Sequence, residues 1–421
     1  MILTGVLLVL LAVLGTPLFA VIAVGALISF ARGGVDGMVV PMEIYRIAET
    51  PVLLAIPLFT FAGYLLGESR APQRLVRVTN ALLGWLPGGL AVVALATCAL
   101  FTAFTGASGV TIVALGALLV PALAEAGYDS DFRLGLVTTS GSLGLLFAPS
   151  LPLILYGIVA QQSVDDLFRA GILPGLLMLV LLSAWSIRAG RKARRVTQAP
   201  RRIRWREIVD ALAEAKWEVP LPILVLGGVY GGVFAVSEAA VVTVVYVFVV
   251  EVLIHREVSW SRLPAVVRES MVMVGGILIV LGASLASTNA LIDAQVPQRL
   301  FEAVTAHVTS RLTFLLLLNL FLLVLGMMLD IFSALVIVVP LLLPLAAGFG
   351  IDPIHLGIVF LANMQIGYCT PPVGMNLFIA SYRFDTPVVD LYRATIPFLV
   401  ILLLSVVIIT YWPWLSLAFL G

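Results

Sequence analysis

A chain of 421 residues in which 61% are hydrophobic and only 11% are charged has more apolar surface than a water-soluble fold can bury. Soluble domains are about half apolar and about a quarter charged, so the solvent implied here is lipid. The net charge of +1 says little, because position matters more than sum, and the two cysteines, Cys98 and Cys369, both sit in apolar stretches that suggest neither a disulfide framework nor a zinc site.

The stretch 3–31 carries no Asp, Glu, Lys or Arg, and neither do 51–67, 78–124, 134–164 and 170–187. A helix needs about 20 residues to cross the hydrocarbon core, so each is a predicted span. The amino terminus lacks a basic region and a clear cleavage site, and the first segment reads as a retained span. The run 78–124 is too long for one crossing and must bend, re-enter or hold two spans. Its middle, Phe104-Thr-Gly106-Ala-Ser108-Gly109-Val-Thr111, is small and hydroxyl-rich, which suits the tip of a re-entrant hairpin. Further on, Gly144-Leu-Leu-Phe-Ala-Pro149-Ser-Leu-Pro152 interrupts an apolar run with helix breakers.

From Arg188 to Arg206 the chain carries Arg191, Lys192, Arg194, Arg195, Arg201, Arg202 and Arg204 without one acidic residue. Between two apolar segments the positive-inside rule explains this better than a nucleic-acid patch, and the loop is expected to be cytoplasmic. Trp205 and Trp217 are expected at the headgroup level. Beyond the loop the uncharged stretches resume at 219–237, 270–292, 312–329, 331–351, 353–382 and 394–421. Glu238 reads as an acid at a helix amino terminus, and Asn289 and Asp293 as interfacial caps. The stretches 32–49 and 255–269 are amphipathic and read as arm helices lying in the interface.

The halves on either side of the loop resemble each other. GESRAPQRLV at 67–76 and IDAQVPQRLF at 292–301 share Pro-Gln-Arg-Leu at an offset of 297 − 72 = 225 positions. Gly144 and Gly367, and Pro149 and Pro372, recur at 367 − 144 = 372 − 149 = 223. Matches at near-constant offset argue for an internal repeat. The expected division is a first half 1–187, a basic linker 188–218 and a second half 219–421.

The second half has its own break, Gly367-Tyr-Cys-Thr370-Pro-Pro372-Val-Gly374, preceded by Gly326-Met-Met-Leu-Asp330-Ile-Phe-Ser333. Carbonyls freed by a break are costly in lipid unless they line a site, and paired breaks in two halves point to the binding site of a secondary transporter. Asp330 lies between two uncharged runs, and a carboxylate placed there is functional by default. Freed carbonyls with Ser, Thr and Asp oxygens make a hard-oxygen cage suited to Na⁺, and half-helix amino termini favour an anionic solute. The three histidines (His255, His307, His355) lie near segment ends, which argues against a proton relay. No Walker motif, dinucleotide fingerprint or nucleophile–base pair appears, so neither ATP hydrolysis nor an enzyme activity is expected.

These segments resemble the large membrane subunit of the tripartite ATP-independent periplasmic (TRAP) transporters. The resemblance runs through Ile56-Pro-Leu-Phe59, Ala62-Gly63, Ser142-Leu-Gly144, Pro149-Ser150, Tyr156-Gly157 and Leu167-Phe168 with Gly171, Pro174 and Gly175. It continues through Ser237-Glu238, Gly326 to Asp330, Asp352-Pro353-Ile-His355-Leu-Gly357, and Gly367 to Phe378. It implies an all-α, inverted-repeat elevator transporter with two re-entrant helical hairpins, broken helices and interfacial arm helices. The expected activity is Na⁺-driven import of a small organic anion, of carboxylate or sialic-acid type, across a bacterial inner membrane. The expected partners are a small four-helix membrane subunit and a soluble periplasmic substrate-binding protein, with no nucleic acid. By the same resemblance Ser108, Gly144, Phe147 and Ser150 would hold one Na⁺, and Gly326, Gly367, Thr370 and Val373 a second. Asp330 and Asn376 would lie near the solute or the ions. The alternative is a self-sufficient Na⁺/dicarboxylate carrier of the ion-transporter superfamily.

Overall fold

The computed structural model describes residues 8, 10–11, 14–47, 49–86, 88–193 and 204–420, so the core of the basic loop, 194–203, lies outside the described residues. Every regular element among the described residues is helical. Among the described residues eight helices are long and apolar enough to cross a membrane, or nine if one bent pair counts as a span.

Two peripheral helices open the described chain, α1 (Leu18–Gly33) and α2 (Val39–Ile47). The first repeat then comprises α3 (Ala55–Glu68), α4 (Ala71–Leu83), a hairpin α5 (Gly89–Thr105) and α6 (Ser108–Glu125), a broken helix α7 (Ser130–Ser140) and α8 (Leu151–Ala160), and the long α9 (Val164–Ala193). Connecting helices follow: α10 (Trp205–Glu214), α11 (Pro220–Tyr230), and α12 (Val236–Phe248), which ends in a π-helical turn Val249–Ile254. The second repeat has α13 (Leu263–Asp293), α14 (Val296–Thr305), a hairpin α15 (Arg311–Met328) and α16 (Ile331–Gly348), a broken helix α17 (Pro353–Gly367) and α18 (Met375–Phe384), and α19 (Val388–Tyr411), closed by the turn α20 (Trp414–Leu417).

The repeat is therefore structural, element for element. Even the prolines inside helices correspond, Pro121 with Pro344 and Pro174 with Pro397, each pair 223 apart (344 − 121 and 397 − 174). The long uncharged run 78–124 is resolved as the first hairpin. Gly106 closes its tip in the left-handed region, at φ 64°, where a side chain would be strained.

Packing crosses between the repeats. The second arm of the first hairpin, α6, packs on α18, and the second arm of the second hairpin, α16, packs on α8. Each hairpin also lies along the first limb of its own broken helix, α6 on α7 and α15 on α17. The repeats are inverted, and the second arm of each hairpin leans on the broken helix of the other repeat.

Around this half stands a frame. Helices α1, α2 and α3 all pack on α13, α12 packs on α3, and α10 packs on α4. The arm-helix expectation is only half met. Residues 39–47 form α2, but 255–262 are irregular and 263–269 are simply the first turns of α13. The amphipathic helices that match across the repeat are α4 and α14, each beginning one residue before its Pro-Gln-Arg-Leu segment, so that the proline falls in the first turn. Proline there costs nothing, since the first amide has no helical partner.

Candidate functional site

The two helix breaks are built alike. In each, a glycine lies against the backbone of its hairpin's first arm: Gly367 is the last residue of α17, and Gly144 sits in a 3-10 turn, Leu143–Leu146, beyond the end of α7. A Cβ on Gly367 would stand 2.5 Å from both Cα and C of Gly326, and one on Gly144 would stand 2.5 Å from the amide nitrogen of Ala103. Ala103 is the repeat equivalent of Gly326 (326 − 103 = 223). Past the glycine the same turn recurs, Phe147 N–H to Gly144 O and Thr370 N–H to Gly367 O, both 3.0 Å. Each break contains one cis peptide bond, Ala148–Pro149 and Pro371–Pro372.

The polar side chains at the breaks are tied locally. Ser150 Oγ donates to Leu145 O (2.6 Å) and Thr370 Oγ1 to Ile366 O (2.8 Å). Gly144 and Ser150 are buried, and the Phe147 ring packs over Gly175 of α9. The second break is more open, with Val373 43% exposed, so the two pseudo-equivalent sites differ in access.

The hairpin tips differ more sharply. At the second tip Asp330 is the N-cap of α16, its Oδ1 accepting from Phe332 N and Ser333 N at 3.0 Å each. The next amide, Ile331 N, donates to the Tyr368 hydroxyl at 2.6 Å. The amino terminus of α16 is thus already satisfied. At the first tip Ala107 provides no side-chain cap for α6. There Ser108 Oγ donates to Asn376 Oδ1 at 2.7 Å, and Asn376 Nδ2 donates to Thr138 O at 3.3 Å. Asn376 is wholly buried at the start of α18 and thereby joins the first hairpin's tip to both broken helices.

A cavity of about 940 Å³ opens beside this junction. The tips contribute Ser108, Gly109, Asp330 and Ser333, and the frame contributes Tyr64 of α3 with Met273 and Ile277 of α13. Its rim is ionic. Arg262 meets Glu68 at 2.8 Å and Glu269 at 3.7 Å. A second cavity of about 430 Å³ lies farther along the same helix, lined by Asn289, Thr288, Gln161 and Arg46.

Of the residues singled out from sequence, Ser108, Asp330 and Asn376 meet at or beside the cavity. Gly144, Phe147 and Ser150 form one break, Gly367, Thr370 and Val373 the other, with Gly326 against the latter. Glu238 is an amino-terminal acid as expected, its Oε2 accepting from Ala235 N at 2.9 Å. Asn289, expected as a cap, instead lines the second cavity. Sequence reasoning missed Tyr368, Tyr64 and the Arg262 rim. Tyr368 stands inside the Gly367 to Gly374 break and was within reach, whereas the rim joins positions 68, 262 and 269 and left no local signal.

An inverted-repeat helical bundle with paired hairpins, paired helix breaks and a buried polar junction defines a membrane transport protein. The chain matches the family model of the tripartite ATP-independent periplasmic transporter, DctM component, over residues 4–415, and it belongs to that family of transporter permeases, which are not enzymes. It is 35% identical over 378 residues to the C4-dicarboxylate TRAP transporter large permease protein DctM of Pseudomonas aeruginosa, covering 90% of this chain and 88% of that one. It is 33% identical over 414 residues to the isethionate TRAP transporter permease protein DctMQ of Oleidesulfovibrio alaskensis, covering 97% of this chain. The match spans 64% of that relative's own length. The YdaH transporter of Alcanivorax borkumensis has a similar fold, with a TM-score of 0.60 at 16% identity over 86% of this chain and 84% of that one.

Proposed function

We propose that this chain is the translocating large subunit of a Na⁺-driven tripartite importer of a small organic anion, and that it works by an elevator movement. The observation that carries the reading is the Ser108–Asn376 junction, where a hairpin tip of one repeat meets a broken helix of the other beside a cavity shared with the frame. Hairpins, broken helices, α9 and α19 would move together, and α1 to α4 with α10 to α14 would stay as the frame. This division cuts across the sequence halves 1–187 and 219–421, which meet through the linker 188–218.

Main-chain carbonyls gathered at the breaks, each with a lone pair beyond its turn bond, support the ion reading. Ser108, Gly144, Phe147 and Ser150 would hold one Na⁺, and Gly326, Gly367, Thr370 and Val373 the other, largely through main-chain oxygens. The uncapped amino terminus of α6 offers free N–H groups and a positive dipole end to a solute carboxylate or sulfonate. The α16 terminus, filled by Asp330 and Tyr368, does not. Because Asp330 already fills the second tip, the first tip is the one left open to the anion.

The basic loop sets direction. By the positive-inside rule its side is the cytoplasm of a bacterial inner membrane. Helix α10 follows that loop and packs on α4, which itself follows Glu68. The larger cavity therefore opens inward and the Asn289 cavity faces the periplasm, where a soluble binding protein would deliver the solute. A small membrane subunit would complete the frame.

Uptake into proteoliposomes tests each part. With the small subunit and binding protein present, C4-dicarboxylates and isethionate are the first solutes to try, with Na⁺ outside. Equal uptake after replacing Na⁺ with K⁺ would remove the coupling ion from the reading. Uptake by this chain alone would remove the tripartite one.

A further inference from the structure

The frame contains a charged cluster that the transport reading leaves unused. Arg74 of α4 is surrounded by three carboxylates, Glu218 from the linker before α11, Glu251 from the π-helical turn and Glu257 from the loop after it. Arg74, Glu218 and Glu251 are respectively 6%, 4% and 0% exposed.

The guanidinium is ringed by carboxylates, with Nε in an ion pair but no hydrogen bond. Glu257 takes a two-pronged bond, from Nη1 at 2.6 Å and Nη2 at 3.0 Å, and also accepts from Arg70 N at 2.7 Å. Such a fork is the strongest arrangement for this pair, so one positive charge is matched by Glu257 alone. Glu218 Oε1 lies 2.5 Å from Nε, and Glu251 Oε2 lies 3.3 Å from Nη2. Glu218 Oε2 and Glu251 Oε1 have no hydrogen-bond partner. The nearby Ser69 hydroxyl donates to Leu66 O at 3.0 Å and also lies within reach of Glu251.

Among the described residues the remaining charged and titratable groups do not close the balance. His255 Nε2 stands 3.8 Å from Glu218 Oε1. Arg70 offers its backbone N–H and is itself exposed, as is Arg256. Lys216 lies over the Trp217 ring, Arg77 pairs with Glu214, and Arg262 with Glu68. With three carboxylates and one guanidinium, two negative charges remain inside the cluster, or one when His255 carries a second ring proton. Burying an uncompensated charge costs several kcal/mol, so the site must gain a cation. Among the described residues no group of three or more acidic, histidine or cysteine side chains is arranged to hold a metal ion. A proton needs only one free carboxylate oxygen, and two are present. The π-helical turn that carries Glu251 adds a local reason, because such turns recur at functional sites.

We propose that the Arg74, Glu218, Glu251, Glu257 and His255 cluster is a proton-binding site in the frame, on the side of the basic loop. The proton belongs to the cluster as a whole, as expected for strongly interacting groups. Its loss leaves two like charges between α4 and α12, and the frame loosens on that side as the pH there rises.

The test uses the purified full chain in lipid nanodiscs and needs no transport assay. A carboxylic-acid C=O infrared band should be present near neutral pH and vanish reversibly by about pH 9, the upper range known for buried carboxyls. The thermal midpoint should fall over the same interval. In Glu251→Gln or Glu218→Gln, which imitate the protonated side chain, that band should be missing and the midpoint should hold on the alkaline side. Absence of a titrating band in the unaltered chain overturns the proposal, whatever the variants do. So does a band that persists in both variants. Should one variant fail to fold, the other decides.

Discussion

Replacing Gly367 by alanine puts the closest helix contact of the second repeat under direct strain. The added methyl would stand 2.5 Å from Cα and C of Gly326 and 2.9 Å from its carbonyl oxygen. Ordinary carbon contacts lie at about 3.5–4.0 Å, so α15 and α17 must part by about 1 Å. The obstructing atoms are backbone and cannot rotate away, which places the cost near the upper end of the usual overpacking range, about 1–3 kcal/mol. At roughly 2 °C per kcal/mol for a chain of this size, the thermal midpoint should fall by about 4–6 °C. Gly144→Ala should behave alike, because the methyl meets the Ala103 amide at the same 2.5 Å. Gly227→Ala in α11 is the control, with no atom within 4 Å, and it should hold or raise the midpoint, since alanine is the better helix former by about 1 kcal/mol. The assay is thermal unfolding in one detergent, with uptake measured on the same preparations. A Gly367→Ala protein that melts with the unaltered chain, or a Gly227→Ala protein that loses as much, would refute the close-approach reasoning.

Asp330 can be divided into its two roles, because Asp330→Asn keeps an oxygen for Phe332 N and Ser333 N and should fold normally, whereas Asp330→Ala should lose about 1 kcal/mol of capping. If the charge serves coupling, the Asn variant also loses transport, and full Na⁺-dependent uptake by it would leave Asp330 as a cap alone. Asn376→Leu strands the Ser108 hydroxyl and should cost about 1–3 kcal/mol. Combined with Ser108→Ala it should be non-additive in a stability cycle, and additivity within about 0.5 kcal/mol would mean that the bond carries no coupling. At Glu257 burial pulls the carboxyl upward, but the Arg74 fork and the Arg70 N–H outweigh it and hold the group below the ordinary glutamate range. Its contribution is therefore present above about pH 4.3, the ordinary value, and is lost as pH falls through the lower folded value. Glu257→Gln should lack that acid-side loss in a melting profile, and an unchanged acid limb would contradict the assignment.

The transport core was legible because its signals are local and repeated. Gly144 and Gly367, Pro149 and Pro372, and the Gly106 and Asp330 tips each mark a break or turn within a few residues, and the constant offset links them. The frame was less legible. Arg74, Glu218, Glu251 and Glu257 are scattered in the sequence and meet only through folding. The stretch 255–269 imitated an arm helix because an irregular loop runs into the polar first turns of α13. Helix α4 was overlooked as an amphipathic helix although its Pro-Gln-Arg-Leu segment had been matched to α14. That tetrapeptide also warns against transferring roles across a repeat, since Arg74 is buried among carboxylates while Arg299 is exposed.

The crossed packing of α6 on α18 and α16 on α8 has a consequence for biogenesis. Helix α8 is complete at residue 160, but α16 begins only at Ile331 and α18 at Met375. At about 5–20 residues per second, the first hairpin and broken helix wait on the order of 10–40 s for their partners. Through that interval Ser108 has no Asn376 to bond, and the newborn first half holds unsatisfied polar groups in the bilayer. Assembly of the core is therefore a late, post-insertion event, and severing the chain at the linker would leave two pieces that each lack half of every contact at the junction.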